Sequence, residues 1–421
     1  MVETVWRMES ARIIAALTRL VRDVGLAEEL AQDALVAALE QWPQSGVPRN
    51  PGAWLMGAAR HRAIDQLRRR SMLDRKHEQL EYEIEIGRIQ AAPDLDAALD
   101  DEVGDDVLRL VFTACHPVLS TESQVALTLR LLCGLTTGEI ARAFLVPEAT
   151  IAQRVVRAKR TLAKERIPFE IPRGEARDAR LASVLAVIYL VFNEGYTATA
   201  GDDWVRPSLC EEALRLARIL AELAPEESEA HGLVALLELQ ASRLKARTDA
   251  AGRPVRLNDQ DRTRWDRLLI GRGLKALQRA RHLGGAPGPY TLQAAIAACH
   301  ATATTPAETK WTDIVALYDQ LVQVIPSPIV ELNRAVAVSM TSGPQAGLDL
   351  LQTLATAPSL REYHLLPAVR GDLLEKLGRF EEARTEFERA ARLAQNTRER
   401  QLLTERALAC SSRPTTARAS S

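Results

Sequence analysis

The amino-acid sequence predicts an all-α protein with two small helical domains, the second a helix-turn-helix, followed by a solenoid of helix pairs. Hydrophobic residues make up 47% of the 421 residues but aromatic residues only 4%, a composition typical of helices rich in Ala and Leu. Apolar residues recur along most of the chain at the spacing of one helix face. A chain of this length is expected to form about two to four domains.

Proline and glycine clusters and shifts in charge give the predicted boundaries. We expect a first domain at 1–70, an acidic linker at 71–104, a second domain at 105–168, a linker at 169–177, a solenoid at 178–410 and a disordered tail at 411–421. Residues 71–106 carry twelve acidic and three basic side chains, whereas residues 107–168 carry nine basic and four acidic ones. An acidic segment beside basic helices is usually a solvated linker, and it can also shield the basic faces until a partner binds.

Several function classes have no support in the sequence. No apolar run is long enough for a membrane span, and the N-terminal residues carry charges without an apolar signal core, so we expect a cytoplasmic protein. The five cysteines form no CxxC pair, which favours free buried thiols over a zinc site or disulfides. The chain contains no phosphate-binding glycine loop, HExxH or nucleophile elbow, so we expect neither an enzyme nor a metal or cofactor site.

Residues 1–70 predict two helices, a loop at 42–51 with three prolines and a glycine, and a third helix from Pro51 to Arg70. A helical wheel of the third helix has an apolar arc with Met56, Ala63, Ile64 and Leu67. The opposite arc carries Trp54, His61, Arg62, Asp65, Arg68 and Arg69. Arginines beside an indole suit single-stranded or partly melted nucleic acid, while a solvated basic face is the plainer alternative.

Residues 135–162 predict a short helix, a tight turn at 145–147 and a longer basic helix, which is the layout of a DNA-binding helix-turn-helix. Ile151, Val155, Ala158 and Leu162 fall on one side of the longer helix. Gln153, Arg154, Arg157 and Arg160 fall on the other side, which is free to meet a groove of DNA. Thr150 and Glu148 stand near the helix start, where we expect polar side chains to cap free N–H groups.

The C-terminal half predicts stacked helix pairs. Its clearest unit has small and large residues at the positions of a tetratricopeptide (TPR) repeat, namely Gly371, Leu374, Gly378, Phe380, Ala383, Phe387 and Ala390. Small side chains at Gly371 and Ala383 let two antiparallel helices approach closely. Residues 328–354 are a looser unit of the same kind, and such pairs stack into a solenoid with a concave binding face.

One segment of this half has two interpretations. Asn193, Glu194 and Tyr196 surround Gly195 just after an apolar helix. They predict either a small polar ligand site or a contact between domains. The alternative is a helix end capped by Gly195 and followed by a packed loop.

Taken together, residues 1–70 and 105–166 resemble the two conserved domains of an extracytoplasmic-function sigma factor of the bacterial sigma-70 class. The resemblance rests on AEELAQD at 27–33, on AWL at 53–55, AR at 59–60 and DQLRRR at 65–70, and on the helix-turn-helix. Members with a fused TPR-like extension exist, and residues 178–410 look like one. The resemblance implies a promoter-specificity factor regulated in cis by that extension, which would dock on the sigma domains or bind a regulatory protein.

The resemblance also implies roles for individual residues. Leu30, Gln32 and Asp33 would contact core RNA polymerase. The loop at 42–51 and the helix after it would hold the melted −10 promoter element through Arg49, Asn50, Trp54, Arg60, His61, Arg62, Arg68 and Arg69. The basic helix would read the −35 element as duplex through Thr150, Gln153, Arg154, Arg157 and Arg160.

Two positions depart from the family pattern. Leu35 stands where the family usually has Phe, and Ala152 stands where many members have Lys or Arg. We therefore expect −35 reading to depend on Gln153, Arg154 and Arg157. Two alternatives remain: a one-component helix-turn-helix regulator with a helical-repeat sensor domain, and a TPR scaffold whose N-terminal helices only pack.

Overall fold

The computed structural model describes residues 2–73, 99–354, 357 and 360–412. Over these residues the chain forms eighteen α-helices and four short 3-10 helices, with isolated β-bridges but no strand, which confirms the all-α prediction. The chain divides into two compact units, 1–190 and 191–421. Among the described helices, none has the length and apolar character needed to cross a membrane. Most of the predicted acidic linker and of the predicted tail lies outside the described residues.

Within its described residues, the first unit contains seven complete helices and the start of an eighth. They are α1 (Val2–Val21), α2 (Val24–Ser45), α3 (Pro51–Leu73), α4 (Leu99–Ala114), α5 (Thr121–Leu131), α6 (Thr137–Phe144), α7 (Glu148–Lys164) and α8 (Glu175–Tyr196). Helix α1 packs against α2, α3 and α4, and α7 packs against α5 and α6. The core of the first three helices is filled by Ile13, Ile14, Leu17, Leu55 and Ala59.

The predicted loop at 42–51 is partly wrong, because α2 continues to Ser45 and includes Pro43. Trp42 is buried and its ring meets the ring of Trp54 edge to face, with 5.5 Å between centroids. This contact holds the last turn of α2 in place although Pro43 lacks an N–H group to donate. The turn ends at Gly46, whose φ of 81° lies in the left-handed region that suits glycine.

The first unit also extends beyond the predicted end of the second domain at 168. Helix α8 begins at Glu175, and its residues up to Leu190 belong to the first unit. Arg180 Nη2 donates to the carbonyl oxygen of Phe112 at 3.0 Å, and Ser183 Oγ donates to that of Cys115 at 2.9 Å. Two prolines and a glycine at 168–174 indicated a boundary, but these tertiary contacts continue past it.

The second unit consists of consecutive helices that pack on one another. They are α9 (Pro207–Leu223), α10 (Ser228–Ala241), α11 (Arg267–His282), α12 (Pro289–Thr302), α13 (Trp311–Val324), α14 (Pro328–Ser342), α15 (Pro344–Leu354), α16 (Leu365–Lys376), α17 (Phe380–Leu393) and α18 (Thr397–Ser411). A Cβ atom at Gly371 would lie 2.7 Å from the ring of Phe387, and Ala383 is fully buried. The close approach of α16 and α17 that these small residues predicted is therefore present.

Candidate nucleic-acid interface

Helix α7 has one buried face, as the sequence predicted. Ile151, Val155, Ala158 and Leu162 are all buried against α5 and α6. The turn before α7 depends on Leu145, which adopts a left-handed φ of 52°, and Val146 N donates to the carbonyl oxygen of Ala141 at 3.1 Å. A capping box between Thr136 and Glu139 fixes the start of α6. The predicted helix-turn-helix is thus present as two helices joined by a short turn.

The opposite face of α7 carries the predicted −35 contacts. Gln153, Arg157 and Arg160 are exposed, whereas Thr150 and Arg154 are half-buried. Arg154 lies close enough to Glu122 of α5 to contribute, after hydrogen bonds from the backbone of Glu122 and from Ser120, to lowering the pKa of that carboxyl. Arg154 therefore lies at the flank of the predicted DNA-facing surface, and the three exposed side chains lie at its centre.

The predicted capping of α7 is wrong. The residue before the helix is Pro147, and no side chain caps the free N–H groups. Glu148 Oε1 instead accepts a hydrogen bond from Thr137 Oγ1 at 2.9 Å, which links α7 to the start of α6. The carboxylate in the first turn still favours the helix through the helix dipole.

Helix α3 presents most of the predicted −10 contacts on its open side. His61, Arg68 and Arg49 are exposed, and Trp54, Arg60 and Arg62 are half-buried. The side chain of Arg69 lies outside the described part of the chain. Burial, followed by the nearby charge of Arg19, lowers the pKa of Arg60. The basic face predicted for this helix is therefore present around His61 and Arg68.

Two details of α3 differ from the helical wheel. Ala63, Ile64 and Leu67 are buried as the wheel predicted. Met56 is only half-buried, and Leu55 and Ala59 fill the apolar face in its place. Asn50 also has a structural role, because its Oδ1 accepts a hydrogen bond from the backbone nitrogen of Ala53 at 3.1 Å. Asn50 therefore caps the start of α3, which fixes the direction in which the helix leaves the loop.

The three residues predicted to contact core polymerase differ in exposure. Asp33 is exposed and Gln32 is half-buried, but Leu30 is only 5% exposed. Leu30 packs in the core of this unit, and its contact with core polymerase stays a prediction. Gln32 Nε2 donates to Glu28 Oε1 at 2.6 Å, so this amide is also engaged within the unit.

Glu28 is the residue that sequence reasoning missed. Its side chain is buried, with 3% of the residue exposed, and its carboxylate pairs with Arg130 of α5 and Lys159 of α7. The distance from Arg130 Nε to Glu28 Oε1 is 2.6 Å. The signal in the sequence was that Glu28, a carboxylate, falls on the apolar stripe of α2 between Ala27 and Ala31.

Further ion pairs join the same two parts of the first unit. Arg7 Nη2 lies 2.5 Å from Glu139 Oε1, and Arg19 Nε lies 3.3 Å from Asp106 Oδ2. Asp106 is completely buried and also pairs with Arg109 at 2.5 Å. The predicted −10 domain and the predicted −35 domain therefore form one compact body. Ion pairs join side chains of α1 and α2 to side chains of the helices from α4 to α7.

In the second unit, the segment around Gly195 is occupied by its own neighbours. Glu194 pairs with Arg206 and accepts a hydrogen bond from Thr199 Oγ1 at 2.6 Å. A Cβ atom at Gly195 would lie 2.8 Å from the backbone nitrogen of Cys210 and 2.9 Å from the carbonyl oxygen of Arg206. Gly195 thus serves a close backbone approach inside α8, and the predicted helix cap at this position is wrong.

Tyr196 belongs to a row of alternating rings and guanidinium groups. The Arg247 guanidinium lies 3.6 Å from the centroid of the Tyr196 ring and 5.6 Å from that of Trp204. The row continues through Arg243, which lies 5.8 Å from both Tyr196 and Trp265, and ends at Arg262, 4.9 Å from Trp265. Burial is the main cause that lowers the pKa of Arg247. These residues are spread over positions 196 to 265, so no local sequence pattern predicts that they pack together.

Three segments of the chain match known family models. Residues 6–72 match sigma-70 region 2, and residues 109–162 match sigma-70 region 4. Residues 180–281 match a family of unknown function (DUF6596), which covers the start of the extension and includes the row of rings around Tyr196. The two sigma regions contain the residues predicted to contact the −10 and −35 elements.

Similar proteins extend these matches. An uncharacterized protein of Rhizobium meliloti is 46% identical over 406 residues, which cover 95% of this chain and 94% of that protein. The ECF RNA polymerase sigma factor SigK of Mycolicibacterium vanbaalenii is 30% identical over 158 residues, 37% of this chain and 76% of that protein. SigK of Mycobacterium sp. (strain KMS) is 29% identical over 149 residues, 34% of this chain and 72% of that protein. The chain therefore belongs to the family of ECF RNA polymerase sigma factors, with a C-terminal extension.

Proposed function

We propose that this chain binds core RNA polymerase, reads the −35 element as duplex through α7 and traps the melted −10 element on α3 and the loop before it. The observation that carries the proposal is the pair of cationic surfaces on the first unit. Gln153, Arg157 and Arg160 are exposed on α7, and His61 and Arg68 are exposed on α3. Unstacking a base costs a few kcal/mol, which contacts to the extruded base offset.

The compact first unit has to open for this function. The numbers −35 and −10 are positions along the promoter, so the two elements lie about 25 base pairs apart. At about 3.4 Å per base pair, this spacing is roughly 85 Å of duplex. A folded unit of 190 residues has a radius of gyration of only about 16 Å. The contacts of Glu28 with Arg130 and Lys159 therefore belong to a resting form, and core polymerase would bind the form in which regions 2 and 4 have separated.

The extension would control this step in cis. The support is its presence, over almost the full length, in the Rhizobium meliloti relative, so that both chains carry their extension together with the sigma regions. A truncated chain ending near Arg173 is a poor test, because it would remove Arg180 and Ser183, which bind to the first unit. Substitutions in the full chain are the better approach.

The experiment is co-migration of the full chain with purified core RNA polymerase, followed by transcription from a selected promoter. Co-migration with promoter-dependent transcripts would support the proposal. Binding to duplex DNA without any association with core would instead indicate the one-component regulator. If the chain neither associates with core polymerase nor binds DNA, the TPR scaffold is the remaining interpretation and the proposed function is rejected.

A further inference from the structure

The DNA-facing side of α7 has an apolar edge beside its cationic one. Val156 is 45% exposed, Ala149 is also exposed, and Ala152 is half-buried. Spacings of three and four residues place all three on one edge of the helix. One shallow groove on this helix is lined by Ala152, Gln153, Val156, Arg157 and Arg160. An apolar surface therefore lies directly beside the groups that would meet DNA.

The fold gives no reason for a valine at position 156. Packing of α7 is done by the buried face, which Val156 does not join. An exposed β-branched side chain also has a lower helix propensity than alanine. Single exposed apolar residues are common on protein surfaces. Here, however, the valine continues an apolar edge with Ala149 and Ala152 on the surface that Arg157 and Arg160 mark for phosphate contacts.

Base-pair edges in the major groove offer one apolar group, the C5-methyl of thymine. Guanine is read by bidentate Arg or Lys, and adenine by Asn or Gln. Ala152 provides no such donor, and Val156 lies one turn further along the helix. The residues of a recognition helix that contact bases lie toward its N-terminal end, where Ala152 is found.

We propose that Ala152 and Val156 form a contact for the C5-methyl group of a thymine in the −35 element. Arg157 and Arg160 hold the flanking phosphates, so the valine methyls press against the base edge in a water-excluded contact. The inference rests on the proposed function, because it assumes that α7 enters the major groove of the −35 duplex. It adds a specificity-determining residue and the chemical group that this residue reads.

The test uses full-length holoenzyme and a −35 duplex recovered by that holoenzyme from a randomised library. Each thymine is then replaced in turn by deoxyuridine, which lacks only the C5-methyl group. For the wild-type protein, one replacement should weaken binding about three- to fourfold, the effect of one buried methyl group. Val156→Ala should weaken binding to the thymine duplex by at least the same factor and should no longer distinguish thymine from deoxyuridine at that position.

Val324→Ala is the matched control, because Val324 is an equally exposed valine, at 46%, in the second unit. This variant should keep the full preference for thymine. Equal affinity for every deoxyuridine duplex, or the same thymine preference in Val156→Ala, would overturn the inference while leaving the proposed function intact. Failure of the holoenzyme to select any −35 sequence would instead contradict the proposed function itself.

Discussion

The carboxylate of Glu28 in α2 lies 2.6 Å from the guanidinium of Arg130 in α5, and it also pairs with Lys159 in α7. A region 2 helix is therefore joined by a buried charge to two helices of region 4. Gln32, one of the residues predicted to contact core polymerase, donates to the same carboxylate. The pairing connects the predicted core-binding surface with the predicted DNA-reading helix in a single electrostatic cluster.

Neutralising this carboxylate should favour the open form. Glu28→Gln keeps the volume of the side chain but removes the charge that Arg130 and Lys159 share. We expect the closed form to lose about 1–3 kcal/mol, less than for a fully buried pair, because both cations keep some exposure. Small-angle scattering should show a larger radius of gyration, and association with core polymerase should be faster because the competent form is more populated.

Glu40→Gln is the control for this prediction, because Glu40 lies on the same helix and is exposed. It should leave both the scattering curve and the association rate unchanged. Identical behaviour of Glu28→Gln and the wild-type protein would show that the buried pair does not hold the compact form.

The exposure of the arginines on α7 predicts which of them bind phosphate. Arg160 is exposed, so Arg160→Gln should reduce the slope of log K against log salt by about 0.9, the effect of one lost phosphate contact. Arg154 is half-buried near Glu122, so Arg154→Gln should change the slope less. Titrations of a −35 duplex with holoenzyme at several salt concentrations measure both. Equal slopes for the two variants would contradict this assignment of the surface.

The row of rings and guanidinium groups in the extension should be a source of stability. Arg247→Met keeps an unbranched apolar stem but removes the cation stacked on Tyr196 and the hydrogen bond to Thr197 Oγ1 at 2.8 Å. We expect the free energy of unfolding to fall by about 1–3 kcal/mol. Denaturant unfolding measures the loss, with Lys245→Met, an exposed residue two positions earlier, as the control. A loss for Arg247→Met no larger than for the control would reject a structural role.

His300 should make the stability of the extension depend on pH. Burial, with the charges of Arg243 and Arg262 acting in the same direction, lowers the pKa of His300 to about 4. The folded protein therefore keeps the ring neutral while the unfolded chain takes up a proton below about pH 6.5, so stability falls as the pH drops from 6.5 toward 4. The slope from this group is at most about 1.4 kcal/mol per pH unit.

His300→Gln removes that titration. Denaturant unfolding of the wild-type protein and the variant should give curves of stability against pH that differ in slope between about pH 4.5 and 6.5, with the wild type steeper. Parallel curves over this range would contradict the lowered pKa. Carboxylates that titrate nearby affect both proteins equally, so only the difference between the slopes is used.

The sequence predicted those features that follow from local periodicity. The buried face of α7, with Ile151 and Leu162, and the close approach of Gly371 to α17 were both predictable, because each depends on spacing within one or two helices. The pairing of Glu28 with Lys159 was not predictable, since it joins residues far apart in the chain. The same holds for the stacking of Arg247 on Tyr196, and for Trp42, whose contact with Trp54 extends α2 through a proline.

We expect α3 to trap the melted −10 element when the full chain is bound to core polymerase. Permanganate reactivity of the −10 thymines, on a promoter recovered by holoenzyme selection, tests it most directly. The wild-type chain and Arg272→Gln, which changes an exposed arginine of the extension, should both make these thymines reactive. Arg62→Gln should lower the reactivity at least about tenfold while binding to the −35 duplex stays unchanged. Unreactive −10 thymines with wild-type holoenzyme, or full reactivity with Arg62→Gln, would contradict the account.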